Sequence, residues 1–202
     1  MITVPIIYNE TPTTIQAHNK DGIYITTINN MAITFGDVKV GLRVALETVG
    51  YAVDWDNEEG LVIVGEPLPQ GISQSDFDYL ARIVHAEANG EDMIGQILVV
   101  NVILNRMVSN CRDFRNAGTI REVITQRNAN GTWQFSPLGD GSFARAVPNQ
   151  VTKEAVQRAL NGEDHSQGAL WFRGIRGVDG SWHDNNLRKL FDHGGHRFYA
   201  TT

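Results

Sequence analysis

The stretch Ser75-Asp-Phe-Asp-Tyr-Leu-Ala-Arg-Ile-Val-His-Ala-Glu-Ala88 has the spacing of an amphipathic helix. It opens with a serine suited to N-capping, and acidic residues follow in the first turn. At about 100° per residue, one face of the helix is apolar; it carries Phe77, Leu80, Ala81, Val84 and Ala88. Glu87 projects into this apolar face, between Leu80 one heptad earlier and Ile83 one turn earlier.

Glu87 is therefore the first candidate for chemistry. A carboxyl held beside hydrocarbon has its charged form disfavoured, so we expect its pKa to lie above the reference value of about 4.3. Such a group can hold a proton near neutral pH and act as a general acid. The structural alternative is a glutamate at the helix edge that reaches water or pairs with Arg82 or Arg106.

The composition is that of a soluble globular protein: 202 residues, of which 42% are hydrophobic and 20% charged. The net charge is −6 and no basic run is present, which argues against nucleic acid as the main partner and against electrostatic adhesion to an anionic wall or membrane. No apolar run reaches the roughly 18–20 residues of a membrane-spanning helix. The N-terminal residues show no secretory signal.

A small β-rich domain is predicted at the N-terminal end. Thr, Ile and Val are frequent in residues 1–65, and alternation over Gly22–Ile28 indicates strands. A short helix is predicted over Lys39–Thr48, followed by a hairpin of Tyr51–Trp55 and Gly60–Val64. The linker Glu66–Gly71 contains two prolines and a glycine, so we place a domain boundary near residue 68, with domains 1–68 and 69–202.

The second domain is predicted to be helical first and then mixed. Met93–Val108 is apolar on nearly all sides, as is typical of a helix inside a core. Two short helices are predicted at Thr119–Gln126 and Thr152–Leu160, the second capped by Thr152. An aromatic, Gly-containing loop, Trp133–Gly141, lies between them. Two strand-like pieces follow, Gly168–Phe172 and His196–Ala200.

Several motifs are incomplete. His85-Ala-Glu87 matches half of the zinc deaminase signature, but that chemistry needs further cysteine ligands and Cys111 is the single cysteine. Cys111 is expected to be a half-buried structural residue. His193-Gly-Gly-His196 with His183 and Asp184 is a weak candidate for a metal site, so a metal-dependent amidase stays an alternative.

Glycoside chemistry fits Glu87 better. Cleavage of a glycosidic bond needs a proton donor and often a second carboxylate. Candidates for the second role are Glu91, Asp92, Asp140 and Asp164. Glu91, one turn after Glu87, could raise its pKa by repulsion, although a solvated carboxylate where the helix frays is the simpler interpretation. Five aromatic residues could stack on sugar rings or belong to the core: Trp133, Phe135, Trp171, Phe172 and Trp182.

Six blocks in the second domain resemble a known family. They are Leu80–Ala88, Gly95-Gln96 with Val102–Arg106, Gln134-Phe-Ser136, Gly168–Phe172, Trp182, and Gly194 to Tyr199 with His196 and Phe198. In this order they resemble the SleB/CwlJ-type (spore-cortex-lytic) cell wall hydrolase family. The resemblance implies a lysozyme-like α+β fold, related to lytic transglycosylases and acting on peptidoglycan glycan strands. It also implies that Glu87 is the catalytic glutamate.

The resemblance further implies a mechanism with one carboxylate. Glu87 would protonate the bond between N-acetylmuramic acid (MurNAc) and N-acetylglucosamine (GlcNAc). It would then act as the base while the 6-hydroxyl of the sugar closes onto C1. An intramolecular hydroxyl has a high effective concentration, so no second carboxylate is needed to position water. No metal or other cofactor is expected.

Six residues are predicted to contact the substrate: Gln134, Phe135, Ser136, Trp171, Trp182 and His196. His196 is either a hydrogen-bond donor in the cleft or a structural residue. Arg173–Arg176 and His193 depart from the family pattern. The alternatives to a transglycosylase are a hydrolytic muramidase or N-acetylglucosaminidase, and a non-catalytic glycan-binding module.

Val40–Trp55 and Leu61–Val64 resemble the small domain named after the N-terminus of copper amine oxidase, which implies no copper here. The N-terminal domain is expected either to bind the cell wall or to pack as a cap on the catalytic domain. The expected substrate lies outside the cytoplasm and no export signal is visible. We therefore expect phage-type or lytic release, or a truncated secreted protein.

Overall fold

In this computed structural model the backbone is described for residues 2–8, 11–20, 23–28, 31–35, 51–56, 61–175 and 180–202, and side chains from residue 68 onward. The chain divides into two compact units, Met1–Gln74 and Ser75–Thr202. The boundary expected near residue 68 falls a few residues before this division.

The first unit contains six described strands. Four of them, β1 (Ile2–Tyr8), β2 (Thr11–Lys20), β3 (Ile23–Ile28) and β4 (Met31–Phe35), form an antiparallel sheet in chain order. Strands β5 (Tyr51–Asp56) and β6 (Leu61–Pro67) pair antiparallel as a separate hairpin. The predicted strand at residues 22–28 and the predicted hairpin are confirmed. The helix predicted over Lys39–Thr48 lies outside the described residues.

The second unit combines helices with a small sheet. Its described helices are α1 (Gln74–Ala88), α2 (Met93–Val108), α3 (Ile120–Ile124), α4 (Pro137–Asp140), α5 (Ser142–Arg145), α6 (Gln150–Leu160) and α7 (Trp182–Asn186). Strands β7 (Trp171–Gly174), β8 (Arg188–His193) and β9 (His196–Ala200) form an antiparallel sheet in the order β7-β9-β8. None of the helices in the described ranges is both long and apolar enough to cross a membrane.

Helix α2 lies at the centre of the core, as its all-round apolar sequence predicts. Its residues from Gly95 to Ile103 are buried without a break. On one side it packs against α6. On another, Leu98 and Val102 form a cluster with Ala169 and with Phe198 of β9. Because α1 joins α2 by a short turn, the core also fixes the end of α1 that carries Glu87.

Two predicted helix starts are wrong. Helix α1 begins at Gln74, so Ser75 lies inside its first turn. Helix α6 begins at Gln150, because the side chain of Asn149 accepts the hydrogen bond from Thr152 N at 2.9 Å. Thr152 is buried instead, and its hydroxyl donates to Gln96 Oε1 at 2.8 Å. The capped start of α3 at Thr119 is confirmed.

Two elements of the second unit differ from the sequence predictions. The expected loop Trp133–Gly141 contains the short helix α4, which starts at Pro137. Proline suits the first helical turn, where its missing N–H leaves no bond unmade. Strand β8 is not predicted at all, since its sequence Arg-Lys-Leu-Phe-Asp-His lacks a regular alternation of polar and apolar residues.

Candidate active site

Glu87 lies half-buried in the last turn of α1. Burial raises the pKa of Glu87 to about 7, against the attraction of the Arg106 guanidinium, and the carboxylate of Asp140 raises it further. The expectation of a raised pKa is confirmed. The acidic group that acts on Glu87 is Asp140 rather than Glu91, which the sequence offered only as a possible source of repulsion. The preferred interpretation of Glu91 as a solvated carboxylate is wrong, because only 18% of its side chain is exposed.

Arg106 brings a buried positive charge from α2 to the same region. Only 3% of its surface is exposed. Its Nε donates a hydrogen bond to the Leu170 carbonyl at 2.6 Å, and its guanidinium lies 4.5 Å from the ring centre of Phe114 and 5.0 Å from that of Phe135. Burial lowers the pKa of Arg106 to about 9, so the side chain stays a cation at neutral pH. The site thus pairs a carboxyl that can hold a proton with a cation that stabilises its charged form.

An aromatic groove of about 670 Å³ lies in the same unit. Its aromatic lining consists of Trp133, Trp171, Phe172 and Trp182, and its polar lining includes Asp113, Gln126, Arg127, Gln134 and His183. Glu87 is not among the lining residues. The connection runs through Phe135, whose ring centre lies 5.0 Å from the Arg106 guanidinium and 6.2 Å from the ring of Phe172.

Three of the predicted substrate contacts line this groove: Gln134, Trp171 and Trp182. Trp182 is 58% exposed and offers a large free aromatic surface. Trp171 is only 5% exposed, and its ring packs 5.0 Å from that of Phe114. Gln134 is half-buried, and its backbone N–H donates to the Gln126 carbonyl at 3.0 Å. Of these three residues, Trp182 therefore has the most exposed surface for contact with a sugar ring.

The other three predicted contacts do not line the groove. Phe135 is 2% exposed and has almost no surface for a sugar, so it supports the groove through Phe172 and Arg106. Ser136 is exposed at the start of α4, and its side chain makes no capping bond. His196 is half-buried with its ring 5.1 Å from Phe172, and burial lowers its pKa. This environment favours the structural alternative for His196.

Asp184 organises the short helix α7, which carries Trp182 and His183 into the groove. Its side chain forms a capping box with Ser181 and accepts hydrogen bonds from Tyr199 Oη at 2.7 Å and from an Arg197 nitrogen at 3.3 Å. These hydrogen bonds hold the pKa of Asp184 well below its usual range. Within residues 68–175 and 180–202, no group of three His, Cys, Asp or Glu side chains could hold a metal ion.

The roles of Arg106 and Asp184 are not predictable from the sequence. The sequence suggests Arg106 only as a possible ion-pair partner of Glu87, although Arg106 is the one charged residue within the apolar helix Met93–Val108. The pattern Ser181-x-x-Asp184 is a capping box, which is visible in the sequence. Neither residue lines the groove: Arg106 acts on the pKa of Glu87, and Asp184 caps the helix that carries Trp182 and His183.

Comparison with protein families gives a match over residues 90–199 to the model described as Cell Wall Hydrolase. The chain belongs to the cell wall hydrolase family. The family assignment predicted from the six sequence blocks is confirmed. The matched segment begins after Glu87 and contains Arg106, the groove residues and the β7-β9-β8 sheet except Ala200, the last residue of β9.

Curated relatives support the same family. The cell wall hydrolase CwlJ of Bacillus subtilis is 32% identical over 133 residues, which are 64% of this chain and 88% of CwlJ. The spore cortex-lytic enzyme of Bacillus cereus is 37% identical over 108 residues, which are 54% of this chain and 38% of that enzyme. The chain thus spans well under half the length of the spore cortex-lytic enzymes that it matches.

Two solved structures share the fold of this cell wall hydrolase. The catalytic domain of the germination-specific lytic transglycosylase SleB from Bacillus anthracis has a TM-score of 0.55 and 31% identity, and the match covers 66% of this chain and all of that domain. The catalytic domain of the Bacillus cereus SleB protein has a TM-score of 0.53 and 32% identity, covering 66% and 95%. The predicted α+β fold, with a β-rich segment before the catalytic domain, is confirmed.

Proposed function

We propose that this cell wall hydrolase cleaves the MurNAc–GlcNAc bond of peptidoglycan glycan strands as a lytic transglycosylase, with Glu87 as general acid and then general base. The observation that carries the proposal is the half-buried carboxyl of Glu87. Burial raises the pKa of this carboxyl to about 7, although the nearby cation of Arg106 lowers it. The Bacillus anthracis SleB domain, a germination-specific lytic transglycosylase of the same fold, supports the same reaction.

In the first step protonated Glu87 donates its proton to the glycosidic oxygen. The bond from that oxygen to C1 of the MurNAc residue breaks, the GlcNAc part leaves as an alcohol, and positive charge develops at C1. A carboxyl with a pKa near 7 is partly protonated at neutral pH, so it can serve as this donor. The guanidinium of Arg106 stabilises the carboxylate that remains.

In the second step the Glu87 carboxylate accepts the proton of the MurNAc 6-hydroxyl. The O6–C1 bond forms, the product is a 1,6-anhydro sugar, and Glu87 returns to its protonated state. Because the nucleophile belongs to the substrate, its effective concentration is high and water need not be positioned. The second carboxylate that a hydrolase would use is not required. Asp140 is exposed, and its charge raises the pKa of Glu87. In this mechanism Asp140 needs no contact with the sugar.

The groove suits a glycan. Sugar rings offer apolar faces and hydroxyl edges, and ligand sites combine aromatic walls with a few polar groups. The exposed face of Trp182 and the half-buried Trp133 provide the walls, and the amide of Gln134 can bond hydroxyl or acetamido groups. Arg127 lies 3.5 Å from the ring centre of Trp133 and holds that ring in place.

Mass spectrometry of the fragments released from purified peptidoglycan tests the reaction. Anhydro ends, lighter by one water than reducing ends, are the expected product. Reducing ends on MurNAc or GlcNAc would replace the transglycosylase by a muramidase or an N-acetylglucosaminidase. Binding to peptidoglycan without any release would identify a glycan-binding module.

The Glu87→Gln variant tests the residue assignment. It should release fragments at least about 100-fold more slowly than the parent. Glu154→Gln, which changes an exposed glutamate of α6, should behave as the parent. Activity undisturbed by EDTA would exclude the metal-dependent amidase. Lysis by Glu87→Gln at the parent's rate would remove Glu87 from the mechanism.

We also propose that residues 1–68 form an accessory domain that binds the cell wall, with the catalytic domain from residue 69. The division of the chain after Gln74 and the pairing of the six strands among themselves support this division. Limited proteolysis should cut between residues 67 and 74 and leave two resistant fragments. Cosedimentation of the separated fragments with peptidoglycan then tests wall binding. A fragment of the first unit that stays in solution would favour a packing role.

A further inference from the structure

The corner between α1 and α2 makes an unexpected contact with the sheet. Glu91, one helical turn after Glu87, is expected from the sequence to be solvated, but only 18% of its side chain is exposed. The backbone N–H of Gly195 donates to both carboxylate oxygens, at 3.0 Å to Oε2 and 3.2 Å to Oε1. A carboxylate that accepts from a backbone amide forms a charge-assisted bond, which is stronger than a neutral one.

The turn that Glu91 contacts is shaped for it. Gly194 and Gly195 join β8 to β9, and Gly194 has φ +54°, in the left-handed region. A Cβ on Gly194 would overlap Glu91 Oε2, and a Cβ on Gly195 would stand 2.8 Å from Oε1. The carboxylate therefore fills the space that a side chain would need at either position. Glycine is required here for close approach as well as for conformation.

Asp92 makes a second connection between the same two elements. Its Oδ1 accepts from Gly95 N at 2.7 Å and caps α2, and it lies 2.8 Å from Nε2 of His193, the last residue of β8. These hydrogen bonds lower the pKa of Asp92. Two consecutive carboxylates thus hold one hairpin turn, and His193, which departs from the family pattern, supplies one of the contacts.

The Gly194–Gly195 turn also contacts the wall of the groove. Ile175 N donates to the Gly195 carbonyl at 2.9 Å, directly after strand β7. The ring of His196 packs edge-on against Phe172 of β7 at 5.1 Å, and Phe172 lines the groove. A short series of contacts therefore runs from the end of α1 through Glu91 and Gly195 to the groove wall.

We infer that Glu91 is a positioning residue: by holding the Gly194–Gly195 turn, its carboxylate fixes the β7 wall of the groove relative to the helix end that carries Glu87. The inference rests on the proposed function, because it concerns the alignment of the bound glycan with the acid. A misplacement of about 1 Å between a reacting bond and a catalytic group can lower a rate about 100-fold. Glu91 needs no contact with the sugar for such an effect.

Steady-state kinetics on soluble glycan fragments tests the role. Glu91→Ala should lower kcat by about 30–100-fold and change KM by less than about 3-fold, because the groove residues remain while the alignment is lost. Glu91→Gln keeps one oxygen that can accept from Gly195 and should retain an intermediate kcat. Glu163→Gln is the matched control. The Glu163 carboxylate also forms hydrogen bonds with two residues, Arg158 and His165, but Glu163 does not line the groove. Its kcat should equal that of the parent.

A second variant moves the carboxylate without changing it. Gly194→Ala should displace Glu91 and lower kcat as Glu91→Ala does, and the double variant should lose no more than either single one. Gly168→Ala is the control for backbone cost, because Gly168 has φ +76° and open space around its Cβ position. Additive losses in the double variant would overturn the inference.

Hydrogen exchange gives a readout that does not depend on activity. The Gly195 amide should be protected in the parent and in Gly168→Ala, and exposed in Glu91→Ala and Gly194→Ala. A parent kcat in Glu91→Ala, with the Gly195 amide exposed, would overturn the positioning role and leave the proposed function standing. Absence of any cleavage by the parent chain would overturn both, whereas exchange would still report on the Glu91–Gly195 contact.

Discussion

Glu87 and Arg106 stand on consecutive helices, and each shifts the pKa of the other. Burial is the larger cause for both groups and disfavours both charges, raising the pKa of Glu87 to about 7 and lowering that of Arg106 to about 9. The mutual attraction opposes burial in each case. As a result, proton-donating and proton-accepting states of Glu87 are both populated near neutral pH, while Arg106 stays positive. A group that acts as acid and then as base needs this balance.

Replacement of Glu87 by glutamine should strongly slow catalysis and stabilise the fold at alkaline pH. Loss of a general acid typically lowers the rate about 10²–10⁴-fold, which fragment release will measure. The folded pKa lies above the unfolded one, so protonation of Glu87 stabilises the parent fully below about pH 4.5, and this stabilisation is lost as the pH rises towards about 7. Relative to the parent, Glu87→Gln should gain about 3 kcal/mol in the free energy of unfolding between acidic and alkaline pH. Equal pH dependence of urea unfolding in both proteins would contradict this.

The rate should fall as the pH rises through the pKa of Glu87. The acid must carry a proton, so kcat/KM should drop about tenfold per pH unit above about pH 7. Asp140→Asn removes the negative charge that raises this pKa, and the alkaline limb should move to lower pH. Asp164→Asn is the control, because Asp164 accepts from Ser166 N and does not act on Glu87. An unmoved limb in Asp140→Asn would argue against the charge effect.

Arg106→Met should move the alkaline limb of the pH–rate profile to higher pH, because the cation that lowers the pKa of Glu87 is gone. The variant should also lose about 1–3 kcal/mol of stability, since the Leu170 carbonyl loses its charged donor. Arg106→Lys keeps the positive charge but loses the planar contact with Phe114 and Phe135. The alkaline limb of its pH–rate profile should therefore stay closer to that of the parent. Identical profiles for the methionine and lysine variants would exclude an electrostatic role.

Trp182→Ala should weaken glycan binding. Its exposed face is the largest free aromatic surface in the groove, and loss of one aromatic contact costs about 1 kcal/mol, or roughly a fivefold rise in KM. The kcat should change little, because Glu87 and Arg106 are not touched. Val151→Ala, at an exposed apolar position outside the groove lining, serves as the comparison. A KM rise of the same size in both variants would remove Trp182 from the binding site.

Thr152→Val should destabilise the second unit by about 1–3 kcal/mol, because it leaves the buried Gln96 oxygen without its donor. The Thr152 hydroxyl also lies 3.2 Å from His85 Nδ1, so two side chains lose a partner. Thr152→Ser keeps the hydroxyl and should cost less. Thermal unfolding of the two variants measures the difference. Equal melting temperatures would show that the hydroxyl network contributes nothing.

Local patterns in the sequence predict the helices and strands that carry the site, because periodicity and capping depend on near neighbours. The apolar face of α1, the buried α2 and the strand at His196–Ala200 follow from spacing alone. Glu87 stands out for the same reason, as a charge on an apolar face. Its raised pKa is also predictable, since burial is a property of that face.

Contacts between distant segments are not predictable in this way. The Glu91 carboxylate meets Gly195 more than a hundred residues later, and no local pattern specifies that pair. The burial of Phe135 depends on Arg106 and Phe172, which approach it from α2 and β7. The choice of Asn149 over Thr152 as the cap of α6 likewise depends on Gln96, which takes the threonine hydroxyl.

Cys111 is the single cysteine of the chain, and it packs half-buried against the cluster of Phe114, Trp171 and Tyr199. Trp171 belongs at once to that cluster and to the groove lining. A fluorescent maleimide would therefore attach at one defined point behind the groove wall. Its emission would report the arrival and departure of a polysaccharide in the groove in real time.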